Sequence, residues 1–316
     1  MANTLTGLIP AAVEALDTVS RELVGMIPAV YRDSSAERAA VGQSIVFPVV
    51  AARTAVATTP AAYGPTSVDT VAPGTTVSIS KSYAVPFFLT GENDRGLRQT
   101  SGKNTFLKNV IAQCMRTLVN LIEVDLAVAG KEGASRAYGT AGSAPFGTAA
   151  DMSDVAGVAR ILDDNGAPIS DRQLVLSSGA VNNLRAKQSN LINSGPDLLK
   201  RGIMTMLGGF EVHQSGGLTA HVKGAGSGYL VNLVTGYPVG STGVIVDTGT
   251  GTILKGDIIT NTKTGRDTNK YVSATDGTTT LLTLAKPGNQ VAWVDNDPIA
   301  IGAAYTPNLV DRKSVV

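Results

Sequence analysis

The residues able to do chemistry are few and scattered. Asp247-Thr248-Gly249, inside VIVDTGTG, has the local pattern of an aspartic protease. That chemistry needs two carboxylates sharing one proton, because like charges so close cannot both ionise. The chain carries a single such tripeptide, so two copies would have to meet, and a β-turn suits the Thr/Gly-rich setting better. Gly224–Gly228 (GAGSG) fits neither of the phosphate-loop spacings, G-x-G-x-x-G or G-x-x-x-x-G-K-[ST]. Ser227 lacks the glycines two residues away on each side that a nucleophile elbow needs. Asp163-Asp164-Asn165-Gly166 and Asp295-Asn296-Asp297 begin like calcium loops but have no distal Glu at the right place. A helix stop and a β-turn explain them. His213 and His221 are the only histidines and lack a nearby third ligand, so polar roles in loops are expected. Cys114, the only cysteine, lies on an apolar helix face and reads as a buried structural thiol. No nucleophile, base and orienting group converge. The sequence predicts no enzyme, no cofactor and no metal.

Composition narrows the remaining classes. The chain has 316 residues, of which 43% are hydrophobic, too apolar for a disordered chain and long enough for about two domains. Charged residues are 16%, below the usual ~25%. With 26 basic and 25 acidic residues the net charge is +1, which excludes affinity built on neutralising phosphates. One cysteine allows no internal disulfide. Glu14 and Asp17 precede the first basic residue, Arg21, unlike a secretory signal, and no run of about 18 apolar residues suggests a membrane span. A soluble, reduced, intracellular product is expected.

The elements that would carry such residues follow from patterning. Val13, Leu16, Leu23 and Val24 share one helical face after Pro10, with Gly25 and Pro28 as the stop. Asp33 to Arg38 is a charged stretch. Gln43–Val50 and Thr76–Thr90 are rich in β-branched and aromatic residues and read as strands. The Pro/Gly-rich segment between them, with Pro60, Gly64, Pro65, Pro73 and Gly74, suggests a long two-stranded flap that is marginal alone. Residues 104–130 form the strongest helix: Leu107, Val110, Ile111, Cys114, Leu118, Leu121 and Ile122 keep i, i+3, i+4, i+7 spacing and Gly130 supplies a stop. Its length would be roughly 40 Å.

Downstream, Met152, Val155, Val158, Ala159 and Leu162 mark a helix with Asp151 as N-cap and Asn165-Gly166 as stop. QLVLSS (Gln173–Ser178) is a strand, GAVNNLRAKQ a helix, and Met206–Ser215 a turn into a strand. From about Gly240 to Gly302 helical periodicity vanishes. VIVD, GDIIT, KYVSA, TLLTL and QVAWV alternate with turns about every ten residues, the pattern of a small antiparallel barrel or sandwich with Trp293 in its packing. No tandem repeat is visible in the sequence.

Several stretches occur in a telling order: ANTLTGLIP (Ala2–Pro10), VSRELVGMIPAVYRD (Val19–Asp33), ERAAVGQSI (Glu37–Ile45), TGEN (Thr90–Asn93), LVNLIEVDLA (Leu118–Ala127), SRAYGTAGSAPF (Ser135–Phe146) and DNGAP (Asp164–Pro168). Over roughly residues 2–215 this series resembles the major capsid (coat) proteins of tailed bacteriophages with the Hong Kong 97-type fold, closest to those of short-tailed temperate phages.

The resemblance implies an α+β chain divided into an N-terminal arm (1–45), an extended β-loop (46–103), a spine helix with peripheral domain (104–145), an axial domain (146–239), an inserted β-barrel-like domain (240–302) and a return segment (303–316). In the family a longer returning segment usually follows; here the sequence ends at NLVDRKSVV. The implied function is self-assembly through pentamers and hexamers into an icosahedral shell around double-stranded DNA, held without sequence-specific binding. A scaffolding protein and a portal protein are the implied partners, with no membrane. The location is the virion capsid, assembled in the host bacterial cytoplasm. Candidate inter-subunit contacts are Tyr63, Asp69, Lys81, Glu92, Asp94, Arg95 and Arg98. Some relatives link a Lys to an Asn covalently, but nothing marks a partner for Lys81. The alternative class is a β-rich tail or decoration protein that binds through residues 240–302.

Overall fold

A computed structural model describes residues 24–31, 41–48, 55, 57, 74–99, 103–148, 151–186, 206–277 and 280–312. In chain order these form α1 (Met26–Ala29), β1 (Ser44–Pro48), β2 (Gly74–Ser78), α2 (Gly91–Gln99), α3 (Lys103–Gly133) and β3 (Arg136–Ala137). Next come α4 (Ser153–Asp164), β4 (Arg172–Leu176), α5 (Ser178–Ala186), β5 (Met206–Leu207) and β6 (Phe210–Gln214). The remaining strands are β7 (Tyr229–Val231), β8 (Gly243–Asp247), β9 (Ile258–Asn261), β10 (Lys270–Val272), β11 (Leu281–Thr283), β12 (Pro298–Ile301) and β13 (Leu309–Arg312). The fold is mixed α+β. The helix expected before Val24, the charged stretch 33–38, Pro60, Gly64, Pro65 and Pro73 lie outside the described residues.

Residues 32–86 cluster apart from the rest of the chain. Their described element is an antiparallel ribbon, β1 on β2, in register from Ser44↔Ser78 to Pro48↔Gly74. The second strand is shorter than the sequence suggests. It ends at Ser78, although Ile79 N still donates to Gln43 O at 3.0 Å and Ile79 O accepts from Gly42 N at 2.9 Å.

The second cluster is residues 1–31 with 87–316. A four-stranded sheet, order β13-β4-β6-β5, lies at its centre. All five residues of β4 are buried, because both faces of the sheet are covered. Successive strand side chains point to opposite faces. Leu174 and Leu176 therefore pack with Val155, Ala180, Leu184, Phe146 and Phe210 under α4 and α5. Val175 points the other way, into Met26, Ala29, Ala127 and Leu218 beside α1 and α3.

Helix α3 has 31 residues, about 47 Å at 1.5 Å per residue. It runs through Gly130 and ends at Gly133. Gly130 serves packing instead, since a Cβ there would sit 3.0 Å from Leu309 Cδ1 and 3.6 Å from Met26 Cε. Much of the apolar stripe stays half-buried in the single chain, Cys114 included, which corrects the expectation of a buried thiol. Pro28 sits inside the first turn of α1, where its missing N–H has no partner to lose. Gly25 and Pro28 thus begin a helical turn here. Helix α4 stops at Asn165-Gly166 as expected. Gly166 N donates to Asp163 O and Ala167 N to Leu162 O, the two bonds of a Schellman cap.

The β-rich region is a closed barrel. Its strands run in the order β11-β8-β7-β12-β9-β10. The bridge Ser273↔Leu284, with Ala274 N donating to Thr283 O, joins the last strand to the first. Val244 and Val246 point inward while Ile245 is exposed. The interior holds Tyr229, Val231, Ile253, Ile259, Tyr271, Leu282, Leu284 and Trp293. The barrel reaches beyond the expected 240–302 range: Tyr229–Val231 supplies β7, and Arg136–Ala137 adds β3 to the edge of β10. The expected strand QVAWV is instead a turn approach in which Trp293 bridges Tyr237.

Candidate interaction surfaces and polar joints

Of the seven candidate contact residues, Tyr63 and Asp69 lie outside the described residues, as does the side chain of Arg98. Lys81 is exposed in the run that follows β2. Glu92, Asp94 and Arg95 all belong to α2. Thr90 caps that helix: its Oγ1 accepts from Asn93 N at 3.3 Å and its carbonyl from Asp94 N at 2.9 Å. Glu92 and Asp94 occupy the first turn, where acidic side chains complement the positive end of the helix dipole. Glu92 and Arg95 are exposed.

Large apolar groups in solvent are the feature that charge patterning missed. In the ribbon unit, Val46 is 62% and Val77 43% exposed. Val77 pairs with Ile45 and Val46 with Thr76, so the two valines point to opposite faces, and both faces meet water there. Tyr83 in the same unit is 53% exposed. In the other unit Phe88 is 88% exposed, beside Phe87. The run PFF in the sequence was the available signal. It reads as a strand only if a neighbour covers it.

Within the unit of residues 1–31 and 87–316 three polar joints fix the elements. The first is Glu123, on the apolar side of α3 and 2% exposed. Its Oε1 accepts from Gly25 N and Met26 N, both at 2.7 Å, and from Ser215 Oγ at 2.5 Å. Its Oε2 accepts from Ile27 N at 3.1 Å. One carboxylate thus satisfies the free N–H groups that open α1 and ties them to the loop after β6. Gly217 is required there, because a Cβ would meet Glu123 Cγ at 2.8 Å and the helix backbone at 3.0 Å.

The second joint is Arg136, whose side chain is 3% exposed. It donates to Asp164 Oδ2 (3.3 Å), Ile161 O (3.3 Å) and Asn165 Oδ1 (3.0 Å) at the C-terminus of α4, and to Asn269 Oδ1 (3.4 Å) of the barrel. Arg172 serves the same helix end through Asp163, Ala167 O and Pro168 O. Cations at a helix C-terminus meet its negative dipole end.

The third joint couples the barrel to α3. His221 Nε2 donates to Asp257 Oδ1 at 2.8 Å, and Asp257 also accepts from Gly224 N and Leu254 N. Tyr305 packs on His221 with ring centroids 5.1 Å apart and donates to Gly256 O at 2.7 Å. Burial first, then the charges of Asp257 and Glu132, push the Tyr305 phenol up to about 12. Lys255 reaches Glu132 of α3 at 3.1 Å.

The other sequence motifs resolve into structure. Asp247 closes β8 opposite Leu230, and Thr248 turns the chain with φ of 56°. Within GAGSG, Gly224 and Gly226 let the backbone approach Thr252 closely. Asp297 accepts from Val294 N and Asn261 Nδ2 and lies 2.9 Å from Arg266 Nε. His213 lies in a strand, not a loop, and donates to Gln173 Oε1 at 2.7 Å. His221 is buried at a joint, again not a free loop residue. Trp293 is core, with Nε1 donating to Asp267 Oδ2 at 3.1 Å. Among the described residues no cluster of three metal-ligating side chains occurs, and no helix is long and apolar enough to cross a membrane.

No family model and no curated protein matches the sequence. Among solved structures, one from Mycobacterium phage Che8 is similar with a TM-score of 0.46 and 13% identity, over 88% of this chain and 90% of that chain. A likeness at that level assigns no family.

Proposed function

We propose that this chain is a major coat subunit of a tailed bacteriophage, of the Hong Kong 97 type, that assembles through pentamers and hexamers into an icosahedral shell around double-stranded DNA. The observation that carries the reading is the β1–β2 ribbon with valines in solvent on both faces. A two-stranded ribbon is marginal in water unless something covers it, and a second copy of the chain is the covering the ordered coat-like stretches imply. Exposed Phe88, in the other unit, calls for the same covering. Heterologous contacts of this kind, one patch on a different patch, close into rings when the rotation fits. Repetition over a shell gives modest contacts a large combined strength.

In this reading Tyr63, Asp69, Lys81, Glu92, Asp94, Arg95 and Arg98 are inter-subunit contacts. A scaffolding protein and a portal are the partners, and the near-neutral charge encloses DNA without gripping it. The second reading, a tail or decoration protein, is favoured by the barrel having a closed core of its own. Sedimentation of the parent chain and of Phe88→Asp separates the two. Coat assembly predicts fast-sedimenting material from the parent and discrete small species from the variant, with unchanged circular dichroism. Identical, slow sedimentation of both favours the binding module.

A further inference from the structure

The strand registers of the barrel repeat themselves. Tyr229↔Ile299 and Leu230↔Pro298 join β7 to β12; Tyr271↔Ile259 and Val272↔Ile258 join β10 to β9 in the same way. Val231↔Val246 links β7 to β8, and Ser273↔Leu284 links the end of β10 to that of β11. The bridge Tyr237↔Trp293 has its counterpart in Gly277↔Ile253. Two pairings map onto themselves: Thr260↔Ala300 between β9 and β12, and Val244↔Leu282 between β8 and β11.

Local chemistry follows the same correspondence. Before β9, Asp257 N donates to Leu254 O at 3.0 Å, and Asp257 Oδ2 accepts from Leu254 N at 2.8 Å. Before β12, Asp297 N donates to Val294 O at 3.1 Å, and Asp297 Oδ2 accepts from Val294 N at 2.9 Å. The residue ahead of each Asp is left-handed, Gly256 with φ of 89° and Asn296 with φ of 61°. Tyr229 and Tyr271 are equivalent and both fully buried, as are Ile253 and Trp293.

We infer that residues 229–301 are two copies of one three-stranded unit, fused in tandem and related by a two-fold axis that crosses the barrel through the Thr260–Ala300 and Val244–Leu282 pairs. The copies are β7-β8-β9 and β10-β11-β12. They interlock, since β9 lies between β10 and β12 of the other copy and pairs with no strand of its own. The sequence shows no repeat because few identities survive, chiefly Tyr229/Tyr271, Asp257/Asp297 and Ile259/Ile299. The use of the two ends has diverged. The 254–257 turn docks on α3 through Lys255 and Glu132. At the other turn Val294 is 43% exposed, with Val234 of the adjoining loop 89% exposed.

The test grafts one turn onto its equivalent in the full chain. Val294→Leu, Asp295→Lys and Asn296→Gly place Leu-Lys-Gly-Asp at 294–297. Trp293, the only tryptophan, reports barrel melting by fluorescence. Equivalence predicts a melting temperature within about 4 °C of the parent, the shift for about 1 kcal/mol in a chain of this class. The same residues in the order Asp-Gly-Lys-Leu should lower it by more than about 8 °C, because the left-handed site and the carboxylate acceptor are then misplaced. Equal effects of the graft and the scrambled order overturn the inference. Amide exchange gives a second reading: interlocked copies predict one opening free energy for 229–261 and 271–301, and separate exchange of the two overturns it as well.

Discussion

Removing the Glu123 carboxylate is the sharpest perturbation of the α1–α3 joint. In Glu123→Ala, Gly25 N, Met26 N and Ser215 Oγ lose a buried acceptor, and Ile27 N loses a partly buried one. Each orphaned buried group costs roughly 1–3 kcal/mol. Two main-chain donors and one hydroxyl therefore give about 3–9 kcal/mol, with Ile27 N adding little because water can reach it. Glu123→Gln keeps one acceptor oxygen but turns an NH2 toward donors, and should cost about half as much. Guanidinium unfolding followed by far-ultraviolet circular dichroism measures the loss as a lower midpoint at constant slope. Hydrogen exchange should show amides 25–27 opening first. A loss below about 1 kcal/mol in Glu123→Ala, with those amides still protected, would refute the view that one carboxylate holds α1 in place.

Three further outcomes are expected. Arg136→Met should loosen the end of α4 and cost about 2 kcal/mol, less than a fully buried pair because Asp164 is 40% exposed; thermal melting of the purified chain checks it. Tyr305 is raised to about 12, and Tyr271 is raised further, chiefly by burial. Their neutral forms are favoured in the folded state, so stability is full below the unfolded value near 10 and falls as pH rises from there through about 12. Absorbance titration at the phenolate band should show these two among eight tyrosines ionising late, and ionisation of all eight near 10 with the fold intact would contradict it. Gly249→Ala should collapse the barrel, because its Cβ falls on the Tyr229 ring, whereas Gly243→Ala has nothing within 4 Å; Trp293 fluorescence during melting distinguishes the two variants.

Local periodicity and capping were legible, and closure through contacts distant in sequence was not. The α3 stripe and the α4 stop could be read because spacing and capping are local properties of sequence. The end of α3 was misplaced because Gly130 is held by Leu309 and Met26, contacts that spacing does not reveal. β4 reads as an apolar strand, but only the sheet shows why all five residues are buried. Glu123 and Arg136 were missed for a common reason. A single charge inside an apolar stretch looks like an exposed position until its partners, 98 and 133 residues away, are brought to it. The barrel was visible as texture, while its start at Tyr229 and its two-fold plan depend on pairing. The candidate contacts that the resemblance implies are charged apart from Tyr63, whereas the exposed apolar groups, above all Phe88, are the larger departure from a solvated surface.

The central claim is assembly. Negative-stain electron microscopy of the full chain expressed in bacteria, imaged directly from gradient fractions, tests it most directly. Shells, sheets or tubes built from five- and six-membered rings are predicted in the fast fractions. A chain that remains a uniform monomer or dimer across the whole gradient would contradict it.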